Sequence, residues 1–211
     1  MSEGSLPRQF VGPPDDREEL ARAEVYGLLA SLFHAEPANL LYEQLRVAAT
    51  EAPARGAFLE AAWSELVVSA RRLSLEAVRD EHAALFGGVG KPEVFAYGSW
   101  FIAGALNEKP LADLRHDLAV LGLERAPGVL ETEDHIASLC EVMRYLIAGD
   151  TAGPGALAPQ QRFFNAHLRP WVERLCDTIL RSPRADFYRA VAGFARDFFE
   201  IEAQGFDLLE R

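Results

Sequence analysis

Apolar residues recur every three or four positions along most of the chain, the spacing that lines one face of an α-helix. Val25, Leu28, Leu29, Leu32 and Phe33 form such a face in a first helix predicted from Asp15/Asp16 to about His34. Pro37 opens a second, carrying Leu40, Leu41, Leu45 and Ala48. A third, over roughly 54–71, turns Phe58, Ala61, Ala62 and Leu66 inward, with Trp63 as a further candidate. Ser74 is the predicted N-cap of a fourth, where Glu76 favours the positive end of the helix dipole. Leu75, Val78, Leu85 and Phe86 run along it.

Gly87 to Ala96 cannot continue that helix, because three glycines and a proline within six residues demand special backbone angles. A short helix follows over about 99–107. Pro110 starts another, lined by Leu111, Leu114, Leu118 and Leu121, with Gly122 expected just past its end. Thr132 can cap a helix carrying Ile136, Leu139, Cys140, Met143, Leu146 and Ile147, ending near Gly149. Helix resumes with Phe163, Phe164 and Leu168, and Pro170 begins or kinks the segment with Trp171, Leu175 and Ile179. Ser182 as N-cap and Pro183 at the first helical position predict the last helix, with Ala190, Val191, Phe194, Phe198 and Ile201 on its buried side. No strand and no repeat emerges. The pattern predicts an all-α globular domain of eight to nine helices over 15–205, after a loose tail over 1–14. Connections at 87–97 and 149–159 allow two lobes joined flexibly.

Composition sharpens this. The chain has 33 Ala and 28 Leu against 13 Val, 5 Ile and 4 Thr, which favours helix over sheet. The net charge of −11 repels nucleic acid and anionic lipid; on charge alone it serves solubility or suits a cationic partner. Cys140 and Cys176 match no zinc or redox spacing and read as buried thiols. The N-terminus lacks an apolar signal region and no run is long enough to span a bilayer, so a cytoplasmic protein, not membrane-embedded, is expected. A monomer or dimer without cofactor or metal is expected.

Two segments are not needed to build a helical core. Glu131-Thr-Glu-Asp-His135 crowds three carboxylates and an imidazole into the first turn of an apolar helix. The helix dipole accounts for Glu133 and Asp134, but it disfavours a charged His135. An imidazole beside carboxylates can bind a partner, hold a metal or act as a base. Ser138 and Leu139 add no metal ligand, so capping and partner binding both stay open. The second segment, Tyr97-Gly-Ser-Trp-Phe101, closes the glycine-rich loop, which Phe86, Gly87, Pro92 and Phe95 shape. Phe95, Tyr97, Trp100 and Phe101 crowd one junction that reads either as core or, beside such a loop, as a binding surface, to which Tyr97 and Ser99 add hydroxyls for an extended peptide. Gly90-Lys91 is not a phosphate-binding P-loop, since Leu85 and Pro92 stand where Gly and Ser or Thr belong.

Together with Glu81-His-Ala-Ala-Leu-Phe86, Gln161-Arg-Phe-Phe164, His167-Leu168, Pro170-Trp171 and Phe187-Tyr188, these segments resemble the TorD/DmsD/NarJ family of redox-enzyme maturation chaperones. The resemblance implies a cytoplasmic, all-helical, non-enzymatic chaperone. Such a protein binds the twin-arginine signal peptide, and often the body, of a molybdenum-cofactor oxidoreductase before cofactor insertion, export or assembly. Ala96 and Gly98 depart from a Pro and a Glu usual in the family's Tyr element. On this reading Glu131, Glu133 or Asp134 receives the arginines, Tyr97 and Trp100 accept the apolar stretch, and His135 and Ser99 orient the site. The alternatives are a small helical metal-dependent hydrolase using Asp134 and His135, and an adaptor for a folded partner.

Overall fold

The computed structural model describes residues 14–50, 59–87, 91–148 and 157–209, with side chains from Glu18 onward. The expected tail, Phe58, the glycines at 88 and 90, and most of the 149–159 connection lie outside these residues. Among the described residues there are ten α-helices and no strand. They are α1 (Pro14–His34), α2 (Asn39–Val47), α3 (Glu60–Arg72), α4 (Leu75–Phe86) and α5 (Gly98–Ala103). The rest are α6 (Lys109–Val120), α7 (Ile136–Ala148), α8 (Leu157–His167), α9 (Val172–Arg181) and α10 (Phe187–Leu208).

The count exceeds the expected eight or nine because the chain breaks fully at Pro170. The Leu168 and Arg169 amides both close on the Phe164 carbonyl, and the Trp171 amide donates to Leu168. That tight turn ends α8, and α9 starts afresh at Val172.

Several predicted ends stand. Ser74 Oγ accepts the Ala77 amide at 3.1 Å, capping α4. Gly122, at φ +70°, follows α6 in the left-handed conformation that glycine adopts without a Cβ penalty. The last helix differs. Ser182 ends α9 instead of starting α10, and its hydroxyl oxygen accepts the Arg184 amide at 3.1 Å within a local turn. Helix α10 begins four residues after Pro183, at Phe187, and its cap comes from α4. The Glu81 carboxylate accepts the amides of Asp186 at 2.8 Å, Phe187 at 3.0 Å and Tyr188 at 2.8 Å.

The core gathers on α1, α7, α9 and α10, where Tyr26, Leu29, Phe33, Ile136, Leu139, Met143, Leu175, Val191, Phe194 and Phe198 are buried. Cys140 and Cys176 are free thiols within it. One ion pair joins α1 to α10 inside this packing. Arg22 grips Glu202 with both fork nitrogens at 2.7 and 2.8 Å, and the Tyr26 hydroxyl donates to the same carboxylate at 3.0 Å. No helix among the described residues is long and apolar enough to cross a membrane.

Candidate functional site

The two segments singled out by sequence meet. The Gly98 amide donates to the Asp134 carbonyl at 2.9 Å, and the Ile136 amide donates to the Ala96 carbonyl at 2.9 Å. This pairs Tyr97 with His135 in an antiparallel bridge. Their rings meet edge to face with centroids 4.9 Å apart. Gly98 sits against Trp171, where an added Cβ would come within 3.1 Å of the indole nitrogen. The indole therefore occupies the room a side chain would need at this departure from the family pattern.

Asp134 and His135 are buried, and each closes a helix. Asp134 accepts the Ser99 amide at 2.8 Å, at the start of α5, and the Thr132 hydroxyl at 2.6 Å. Thr132 thus serves Asp134 and not the start of α7. His135 takes that place, its Nδ1 accepting the Ala137 amide at 3.2 Å. The acceptor role puts the ring proton on Nε2 and requires neutral imidazole. Burial agrees, pulling His135 down to about 4. Because the two side chains point their bonds at different helices, they do not form the carboxylate–imidazole dyad that a hydrolase would use. Among the described residues, no cluster of three His, Cys, Asp or Glu side chains could hold a metal.

Ser99 is fully buried and its hydroxyl has no partner among the described residues. Tyr97 and Trp100 are half-buried and reach the surface. Phe95 packs against Trp100 with centroids 4.3 Å apart, and Lys91 Nζ lies 5.5 and 5.2 Å from the two rings. A cation of the chain itself rests on this aromatic platform, held by the ring quadrupoles. Phe86 turns away from it, packing on Phe33 and Tyr188. Gly87 ends α4 with its amide on the Ala83 carbonyl, and Pro92 is half-buried.

The carboxylates divide. Glu133 is held by Arg115, with nitrogens at 2.9 and 3.0 Å, and more loosely by Arg125 at 3.7 Å. Burial opposes its charge, but these two guanidiniums hold its carboxyl below the usual range. Glu131 is half-buried, and its carboxylate has no ion pair among the described residues. After burial, its charge is the next influence raising the Tyr97 hydroxyl.

A groove of about 450 Å³ opens between α1, α7 and the 123–129 loop, with Glu133 in its lining. Ala30 and His34 line it from α1, and Ala137, Ser138, Val142 and Tyr145 from α7. Of the candidate residues only Glu133 lines it. Sequence reasoning missed Arg115, Arg125 and the α1 wall. An apolar α7 with Ser138, Val142 and Tyr145 off its core stripe was the available signal.

Residues 52–177 match the family described as nitrate reductase delta subunit. The chain belongs to that family. It is the NarJ/TorD-like group of redox-enzyme maturation chaperones that the sequence resembles. A solved structure of a proposed redox enzyme maturation protein from Archaeoglobus fulgidus matches with a TM-score of 0.55 at 17% identity. The match covers 94% of this chain and 99% of that one, and at such identity the likeness concerns the fold. Comparison with curated proteins gives no match. By family, this chain is a maturation chaperone for a partner redox enzyme.

Proposed function

We propose that this family member is a cytoplasmic, non-catalytic chaperone that binds the twin-arginine signal peptide, the apo form, or both, of a molybdenum-cofactor oxidoreductase before cofactor insertion, export or assembly. The observation that carries the reading is the bridge between Tyr97 and His135. It brings a ring surface and a carboxylate segment to one place beside an apolar groove. A leader with two adjacent arginines and an apolar stretch is complementary to such a surface, since guanidinium–carboxylate bonds are stronger than neutral ones.

The roles follow availability. Glu131 is the carboxylate best placed to take an arginine, because Asp134 is buried in helix capping and Glu133 already has two partners. Tyr97 and Trp100 present rings to the apolar stretch. Asp134, His135 and Ser99 act as positioning residues, holding α5 against the start of α7.

Affinity capture of the tagged protein from its native host, followed by mass spectrometry and molybdenum analysis of the partner, tests the assignment. The expected partner is an oxidoreductase with a molybdenum-cofactor site, held in its apo form. A captured partner without such a site removes the basis for the role.

A further inference from the structure

We infer that Trp171 is a positioning residue for the recognition face: matched in size to the bare Gly98, it sets how α5 is turned about its own axis and so how Tyr97 and Trp100 are presented. This rests on the chaperone reading and adds to its site a residue from the turn between α8 and α9. Helix α5 has six residues. An isolated helix shorter than about 12 residues is marginal in water. The orientation of α5 therefore comes from what holds it, which is Asp134 at its start and the packing on α6 and α9.

The indole bears on one face of that helix. Gly98 and Phe101, three positions apart, share the face. The Phe101 ring stacks on the indole, with centroids 5.6 Å apart and planes 20° apart. A Cβ on Gly98 would come within 3.1 Å of the indole Nε1 and 3.3 Å of Cε2. Trp100 is turned from this face by about 100°, the step between successive helical residues. It meets Phe95 and Lys91 instead and stays half-buried.

The indole is itself fixed. Trp171 is buried, and its ring N–H donates to the His167 carbonyl at 2.6 Å. The His167 imidazole in turn bonds Asp117 of α6 at 2.7 Å, which ties the end of α8 to the helix that follows α5. The break at Pro170 thus has a use, since it aims a rigid two-ring side chain at the first turn of α5. A methyl group at position 98 would move α5, because the indole can retreat only by giving up its bond to His167 and its stack with Phe101.

Calorimetry with a synthetic peptide of two adjacent arginines followed by leucines and alanines tests this, with hydrogen exchange at the Ser99 amide as a second readout. Gly98→Ala should weaken binding about tenfold and speed that exchange, as overpacking shifts the backbone. Trp171→Phe, with a smaller ring beside position 98, should weaken binding as well. Gly98→Ala combined with Trp171→Phe should return to within about threefold of the wild type. Phe101→Leu removes the stack at a half-buried position and should weaken binding about threefold, which gives a reading even where the Trp171 variants do not fold. Glu81→Ala, a destabilising change at α10, should keep wild-type affinity and so separates positioning from stability. Unchanged affinity in Gly98→Ala and Phe101→Leu, with the wild type binding, overturns the role of Trp171 and leaves the chaperone reading standing. A double variant no tighter than Gly98→Ala overturns the size match. An equal loss in Glu81→Ala reduces the effect to stability and overturns the positioning role. No binding by the wild-type protein overturns the chaperone reading at this face and the role of Trp171 with it.

Discussion

The Asp134 carboxylate accepts the Ser99 amide at 2.8 Å, so an acid from one candidate segment caps the helix that opens the other. Both groups are buried, and Asp134 also takes the Thr132 hydroxyl. Replacement by alanine leaves a buried amide without an acceptor, which costs about 1–3 kcal/mol. Asp134→Ala should lower stability by that amount in urea denaturation and speed hydrogen exchange at the Ser99 amide. Unchanged exchange at Ser99 would mean that the cap contributes nothing.

Glu81 is the corresponding device for α10, the longest helix among the described residues. One carboxylate receives three successive amides at the start of α10, where the helix dipole also favours negative charge. Glu81→Ala should destabilise the protein by about 2 kcal/mol, a typical capping loss raised by the extra charged hydrogen bonds. Glu81→Gln, which keeps one acceptor oxygen, should fall between the two. Equal stability of Glu81→Ala and the parent would contradict the role.

These two residues show what the sequence made legible. Helical periodicity, proline starts and the Ser74 and Gly122 signals located most of the helices, because such signals act within a few positions of one another. The start of α10 was misplaced because its acceptor lies 105 residues away in sequence. Ser182 offered a local cap that a distant carboxylate supersedes. At the candidate site, residue types and spacing flagged both segments but not the division of labour among their acids. Asp134 and Glu133 look alike in sequence. Only the fold puts one against Ser99 and the other between Arg115 and Arg125.

His135 couples the site to pH. Its folded-state value of about 4 lies below the ordinary 6.5, chiefly because burial disfavours the cation. Glu131 and Asp134 pull it up, while His34 and His82 push it down. A depressed value means that the folded state binds the proton less well than the unfolded chain. Its stabilising contribution is therefore complete above pH 6.5 and is lost as pH falls towards 4. At about 1.4 kcal/mol per unit, the loss is on the order of 3 kcal/mol. His82, also lowered by burial, adds in the same direction. Protonation further removes the Nδ1 acceptor from the Ala137 amide. His135→Asn keeps a capping oxygen without the titration, so its melting temperature should fall less steeply between pH 6.5 and 4. Parallel curves for the two proteins would rule out His135 as the titrating group.

The binding role separates from the structural one at Glu131 and Tyr97. Glu131 is half-buried and has no ion pair among the described residues, so Glu131→Gln should leave thermal stability close to the parent. The same change removes a charge-assisted bond to an arginine, worth about 1.5 kcal/mol or more, and should weaken a twin-arginine peptide about tenfold. Tyr97→Ala should weaken it too, through loss of ring area, and should also cost stability because the ring packs on His135. The pattern is diagnostic in titration calorimetry. A site that grips arginine loses affinity with Glu131→Gln at constant stability, and loses more of that affinity at low salt than at high salt, where screening has already reduced it. Peptide affinity unaltered by both substitutions would place the leader elsewhere on the chain.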